Sequence, residues 1–304
     1  MSSDASNAQT GTVGIGQATL VLVGGVLAMS WASILIRWAA APPLVVGAVR
    51  LTAATLILAP FAAPQAAREW RALSPHEWLL VVVSGLALGL HFAAWIASLS
   101  LTSVASSVVL VSMSPLFVGV ASSLLLKERV PGSMALAAGL ALAGSAIIGL
   151  GDARALAGAL RGDLLALAGA LFVSIYLLVG RVLRRKLSLL AYIWPIYGLA
   201  AVVLLLGCAL SGQTLVGYSP RVYGLLLLLA LGPQVLGHSS ANWALRYLSP
   251  VFVTVAILGE PLGATVLALL FLGERPAWTL IAGGMILLLG IGLAVRSEEQ
   301  THET

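Results

Sequence analysis

A chain of 304 residues that is 60% hydrophobic and only 9% charged cannot clothe a water-soluble surface, because soluble domains carry about 25% charged residues. Its mean hydropathy is +1.04, and its apolar residues stand in long blocks rather than in alternation, which excludes a soluble globule. The net charge of +5 comes from basic residues scattered singly between those blocks. With no basic face and no interleaved aromatics, no nucleic-acid partner is expected.

Residues 1–16 hold no Lys or Arg before the first apolar run, so they lack the basic start of a cleaved signal peptide and read as a short disordered tail. Apolar runs bounded by charges, Gly and Pro then predict helices over 17–37, 43–62, 77–98, 102–126 and 131–150. A loop at 151–162 follows, then helices over 163–183, 189–210, 221–239, 249–272 and 276–295, and a tail at 296–304. Each run approaches the roughly 20 residues that cross a bilayer, and runs this long satisfy their backbone as helices rather than as barrel strands. The expected class is an all-α polytopic membrane protein of ten transmembrane helices, with the lipid bilayer as its surroundings. Cys208 sits inside an apolar block and reads as a small core residue.

Orientation follows from Lys and Arg near the helix ends. With the N-terminus in the cytoplasm, the cytoplasmic side receives Arg68, Arg71, Lys127, Arg129, Arg181, Arg184, Arg185, Lys186, Arg246 and Arg296. The other side receives Arg37, Arg154, Arg161, Arg221 and Arg275, and Arg50 is left inside a span. Both termini are therefore expected in the cytoplasm of a bacterial plasma membrane.

The strongest signal is an internal repeat at a shift of 146 residues. Segments 115–129 and 261–275 share seven of fifteen positions, among them Pro115 with Pro261 and the Glu-Arg pair that closes each segment. The same shift lays Gly16 on Gly162 and Gly144 on Gly290. The halves are 17–150 and 163–295. Each holds five helices, an odd number, so the second half must enter the membrane upside down. Inverted repeats of this kind place a binding site near the midplane and supply the means of alternating access.

The proline in the fourth helix, Leu124-Leu125-Leu126-Lys127-Glu128-Arg129 at its end and the Gly-rich fifth helix recur as Gly259-Glu260-Pro261, Leu272-Gly273-Glu274-Arg275 and the glycines of the tenth. This pattern resembles the twin EamA domains of the drug/metabolite transporter superfamily over roughly residues 17–295, and most nearly its YddG-type exporters of aromatic and other neutral amino acids. The resemblance implies a ten-helix basket with a central cavity lined by helices one, three, four, six, eight and nine. Helices five and ten would sit at the periphery. It also implies export of a small metabolite, most nearly an amino acid, by a chain that works as a monomer.

Polar side chains at membrane depth are few, and each is a functional hypothesis by default. His91, Trp95 and Ser98 fall at i, i+4 and i+7 of the third helix, one helical face. Gln234, His238 and Asn242 fall at i, i+4 and i+8 of the eighth, with Trp243 adjacent. A stripe of ring, imidazole and amide suits a zwitterion with an apolar side chain. The alternative is interhelical glue, each bond worth roughly 0.6–2 kcal/mol. The cavity reading is preferred for His91, Trp95, His238 and Trp243, and the two readings stand even for Gln234 and Asn242. Ser30 of the first helix and Tyr176, set opposite it by the shift, are further lining candidates, although serine in a membrane helix more often serves close packing.

Glu260 is the one acid deep inside a span. It reads either as a proton carrier or, preferably, as a group that satisfies the backbone opened by Pro261. Arg50 could attract a substrate carboxylate or pair with Glu260, but seven residues into a helix it is expected to snorkel to the outer interface. Pro115 and Pro261 remove equivalent hydrogen bonds and should kink or hinge helices four and nine. Gly139, Gly144, Gly283 and Gly290 read as helix-packing positions. Trp38, Trp70, Trp78, Trp194, Tyr218 and Tyr223 read as an interfacial belt.

Rival classes find little support. Gly237-His238-Ser239-Ser240 is a serine loop without the closing glycine of intramembrane proteases, and Gly11 to Gly16 lacks the lysine of a phosphate loop. With no HExxH or CxxC, no enzyme and no cofactor or metal is expected. A channel would want rings of charge or a carbonyl filter.

Overall fold

Serine, proline and glycine decide where this chain starts its helices, breaks them and lets them touch. The computed structural model describes residues 13–98, 101, 107, 110–151, 160–273 and 278–303, which are helical with short turns and contain no strand. The first half supplies α1 (Ile15–Ala39), α2 (Pro43–Ala72), α3 (Pro75–Ser98), α4 (Ser114–Leu126) and α5 (Gly132–Ile147). The second supplies α6 (Leu160–Arg184), α7 (Leu189–Leu210), α8 (Pro220–Ala244), α9 (Pro250–Phe271) and α10 (Trp278–Glu303). By length and composition all but α4 and α5 can cross a membrane, and those two are shorter apolar helices. Most of the stretch expected to open the fourth helix, the tail 1–12, Glu274 and Arg275 lie outside the described residues.

Several starts are Ser-Pro pairs. Ser219 and Ser249 accept from the N–H groups of Val222 and Phe252, with Pro220 and Pro250 in the first turn, where a missing N–H costs nothing. At α3, Ser74 and Glu77 cap each other reciprocally, Ser74 N to Glu77 Oε2 at 2.7 Å and Glu77 N to Ser74 Oγ at 3.3 Å. Two ends run past their expected limits. Pro60 and Pro64 do not stop α2, and α10 continues through the expected tail to Glu303, with Ser297 and Glu298 buried. Glu298 earns that burial by accepting from the backbone N–H and hydroxyl of Ser249 at the start of α9.

The halves pack as counterparts. α3 lies on α6 as α8 lies on α1, α4 on α6 as α9 on α1, and α3 on α7 as α8 on α2, while α2–α7, α4–α9 and α5–α10 pair a helix with its own counterpart. The crossing of α5 and α10 follows the 146 shift residue by residue. A Cβ on Gly144 would strike Gly283 O at 2.5 Å and the N–H of Leu287, and one on Gly290 would strike Ala137 O at 2.8 Å and Ala141 N at 2.5 Å. Gly139 is the exception among the packing glycines, since it is exposed and has nothing within 4 Å of its Cβ position.

For α1 and α6 the register is 144, not 146. Ser30 Oγ donates to Val26 O at 2.9 Å and to Glu260 O at 3.2 Å. Ser174 Oγ donates to Ala170 O at 2.6 Å and to Ser114 O at 3.3 Å. The structural counterpart of Ser30 is therefore Ser174, and Tyr176 is two residues off. A shift set by the fourth, fifth, ninth and tenth helices does not extend to the first and sixth, because two residues are absorbed between them.

These two serines dock at the breaks. α9 is interrupted by a turn at Leu258, three residues before Pro261, and α4 opens after the turn at Ser112 and Met113, just before Pro115. At each break the serine hydroxyl reaches the carbonyl of the residue that precedes the proline. A Cβ on Gly263 would overlap Ser30 Oγ, so α1 and α9 meet at this point only through glycine.

On the basic face, Glu128 at the end of α4 pairs with Arg181 of α6 at 3.0 Å and with Arg185 at 2.7 Å. Arg181 also caps α8, donating to the carbonyls of Leu245 at 2.8 Å and Leu248 at 3.1 Å.

Gly144→Ala and Gly290→Ala should each destabilise the purified protein by about 1–3 kcal/mol, because the added methyl meets backbone that cannot rotate away. Gly139→Ala should be neutral. Thermal unfolding in detergent checks this; equal melting of all three would contradict the crossing described.

Candidate functional site

The polar groups of the membrane interior gather where α2, α3, α7 and α8 meet. Arg50 of α2 is 4% exposed. Its Nε donates to Gln234 Oε1 in α8 at 2.8 Å, and its guanidinium carbon lies 5.0 Å from the centroid of the Phe92 ring of α3. The expected snorkelling is therefore overturned. A charge inside a span costs at most about 2.5–3.5 kcal/mol on the insertion scale, the value at the helix centre. A desolvated cation–π contact of about 2 kcal/mol and a charged hydrogen bond of about 1.5–3 kcal/mol are large enough to hold it inside. Among the described residues no carboxylate lies at ion-pair distance from Arg50; the field of Glu260 reaches it from farther off.

Phe92 also meets the ring of His238 at 5.7 Å between centroids, and these two residues are counterparts at the 146 shift. His91 stacks on Trp95 at 6.2 Å with 5° between the rings, and its Nδ1 is 2.9 Å from Gly169 O of α6. Gly169 lets α3 come this close: its Cβ position lies 3.4 Å from that of Trp95. Gln234 is fully buried in a π-helical stretch, Ala230–His238, that contains Pro233. Such stretches widen a helix locally and recur at functional sites. Below it, Ser239 bridges Tyr197 Oη at 3.1 Å and Gln234 O at 3.4 Å. Asn242 donates to the Tyr176 hydroxyl and to His238 O, the latter at 2.7 Å.

Four buried polar atoms here have no partner: Arg50 Nη2, Gln234 Nε2, Trp95 Nε1 and Asn242 Oδ1. Such an atom away from water costs about 1–3 kcal/mol, so interhelical glue does not account for all of the polarity at Gln234 and Asn242.

The other sequence-predicted residues lie around this cluster. Ser98 donates to Trp95 O at 2.6 Å and lies 2.6 Å from Ser107 Oγ, and Ser30 is spent on carbonyls, so both make packing bonds. Trp243 is half-buried against Tyr247, 4.7 Å between centroids, toward the end of α8. Glu260 lies in the first turn of the second piece of α9, Gly259–Leu272, a helix N-terminus that favours a negative charge. Trp194 stacks on Trp70 at 5.7 Å and donates to Thr55 O at 3.1 Å, so it packs α7 on α2. Arg50 and Tyr197 come from α2 and α7, which the resemblance had not placed at the cavity. The signal for Arg50 was present, as the lone base inside a span.

The model of the EamA-like transporter family matches residues 16–150 and again residues 160–296. No curated protein matches the sequence. A solved structure described as "Crystal structure of protein" superposes with a TM-score of 0.75 over 93% of this chain and 98% of that one, at 18% identity, a likeness of fold. With both halves matched, the chain belongs to the EamA-like transporter family, multi-pass membrane transporters of small molecules.

Proposed function

We propose that the chain is a secondary transporter that exports aromatic and other neutral amino acids by alternating access of two inverted halves. The observation that carries this reading is the cluster of rings, imidazoles and unpartnered polar atoms held by α2, α3, α7 and α8 in an otherwise apolar chain. His91, Trp95, His238 and Phe92 offer planes to an apolar side chain, while Gln234, Asn242, Tyr176 and Arg50 offer hydrogen bonds to charged ends. Five helices per half and the paired packing of counterparts support the inversion. The matched breaks before Pro115 and Pro261 are where α4 and α9 would bend between states. Arg181 and Glu128 would close one side. Both termini lie in the cytoplasm of a bacterial plasma membrane in this reading, and the chain acts as a monomer.

Proteoliposomes of the purified protein should show saturable uptake of labelled phenylalanine, tryptophan and threonine, with and without an imposed pH gradient. His91→Ala and Trp95→Ala should lower uptake about tenfold, the effect of ~1.4 kcal/mol, while the variants still fold. Normal uptake by both would reduce the α3 stripe to packing. If Glu260 is a backbone-satisfying group, the gradient leaves uptake unchanged; gradient-driven uptake abolished by Glu260→Gln would make it the proton carrier. Uptake of none of the three would remove the amino-acid assignment.

Orientation is separately testable, because Cys208 is 1% exposed and should stay silent. A membrane-impermeant maleimide added to whole cells should label Thr214→Cys, between α7 and α8, and spare Ala72→Cys, at the end of α2. The reverse pattern would invert the assigned topology.

A further inference from the structure

We infer that Arg50 and Gln234 form a carboxylate subsite: an anion held between α2 and α8 by the free Nη2 of the guanidinium and the free amide nitrogen of the glutamine. The inference deepens the transport reading and rests on it for the claim that the bound carboxylate is cargo.

The argument is one of complementarity. Arg50 Nε is already bound to Gln234 Oε1 at 2.8 Å. That bond fixes the glutamine with its acceptor toward the arginine and leaves Nε2 for another acceptor, with the Tyr197 hydroxyl also directed at this side chain. Nη2 and Nε2 are both buried without partners, on side chains that are 4% and 0% exposed. Both are donors on side chains already joined by one bond, and a group that satisfies two donors beside a full positive charge is an acceptor with two oxygens and a negative charge. Among the described residues no acid lies at ion-pair distance from Arg50, and Glu260 acts on it only from farther off. Phe92 supports the guanidinium from one face at 5.0 Å and offers only a π-system, which leaves Nη2 without a hydrogen-bond acceptor.

The position is also suited to a moving step. α2 belongs to the first half and α8 to the second, so a carboxylate bound here touches both halves at once. Gln234 lies in the π-helical stretch of α8, four residues before His238, whose ring meets Phe92. An aromatic group attached to the carboxylate would extend along these rings. The subsite selects against cationic cargo, which the bare guanidinium repels.

The test compares ligands that separate the two charges of an amino acid: 3-phenylpropionate, a carboxylate without an ammonium; 3-phenylpropylamine, an ammonium without a carboxylate; and L-phenylalanine. Each is titrated at millimolar concentration against the purified full-length protein, reading thermal stabilisation, and then used to compete labelled uptake in proteoliposomes. Phenylpropionate should stabilise the wild type and phenylpropylamine should not. Arg50→Gln should weaken phenylpropionate by about 30-fold or more, as expected when one member of a buried charge pair is removed. Arg50→Lys, which keeps the charge and loses the fork, should retain part of the binding and guards against a folding defect in the first variant. If phenylpropionate binds and phenylalanine does not, the carboxylate subsite stands and the amino-acid reading falls. Stabilisation by phenylpropylamine, phenylpropionate binding that is indifferent to well-folded Arg50→Gln, or no binding of any carboxylate to the wild type would overturn the subsite.

Discussion

Every backbone polar group that lies in hydrocarbon must find its partner inside the protein, and the rest of this structure depends on how that demand is met where helices stop being regular. Along most of the chain the helix itself meets it. At the breaks in α4 and α9 the helix starts afresh with a proline in its first turn, where a missing N–H costs nothing, and there a serine from the other half adds a bond: Ser174 to Ser114 O and Ser30 to Glu260 O. Each break is therefore a contact between halves as well as a local irregularity. A helix that bends at Pro115 or Pro261 must carry its partner serine with it or release it.

The same demand explains why close approach is concentrated at glycine. Helices in lipid gain little from apolar burial against one another, so they associate through packing and polar bonds. α5 and α10 touch backbone to backbone at Gly144 and Gly290, and α1 meets α9 at Gly263. Large side chains are left for the lipid face, where Leu20, Leu124, Leu125 and Leu270 are each well exposed. Arg50 is the exception, a buried cation with no carboxylate at ion-pair distance among the described residues.

Much of the fold could be read from the sequence because its signals are local. Apolar run length gives the helices, and Pro115-to-Arg129 against Pro261-to-Arg275 gives the halves. Register was legible only where distinctive residues anchor it. Pro, Glu and Arg fix α4 and α9, and Gly144 and Gly290 fix the crossing. In α1 and α6 the sequence offers mostly Leu, Ala, Val and Gly, where a slip of two residues changes few identities, so Tyr176 was paired with Ser30 in place of Ser174. The site was legible as residue types and less so as partners. His91 and Trp95 stack as one α3 face predicts. The inward turn of Arg50 depends on Gln234 and Phe92 from two other helices, and one-dimensional spacing carries no trace of that meeting.

The two halves are counterparts in backbone but not in chemistry, and the difference falls on the site. Phe92 and His238 occupy matching positions at the 146 shift and touch each other, so a ring that is purely apolar meets one with two polar nitrogens. Arg50 has Ile196 as its counterpart at the same shift, and the π-helical stretch of α8 faces a regular α-helix in α3. A symmetric scaffold lets the halves exchange shapes, and exchange alone gives no preference for a ligand's orientation. Placing the cation on α2 and its amide partner on α8 adds to that asymmetry, and in the transport reading proposed above it would give a molecule with one charged end one way to lie across the interface.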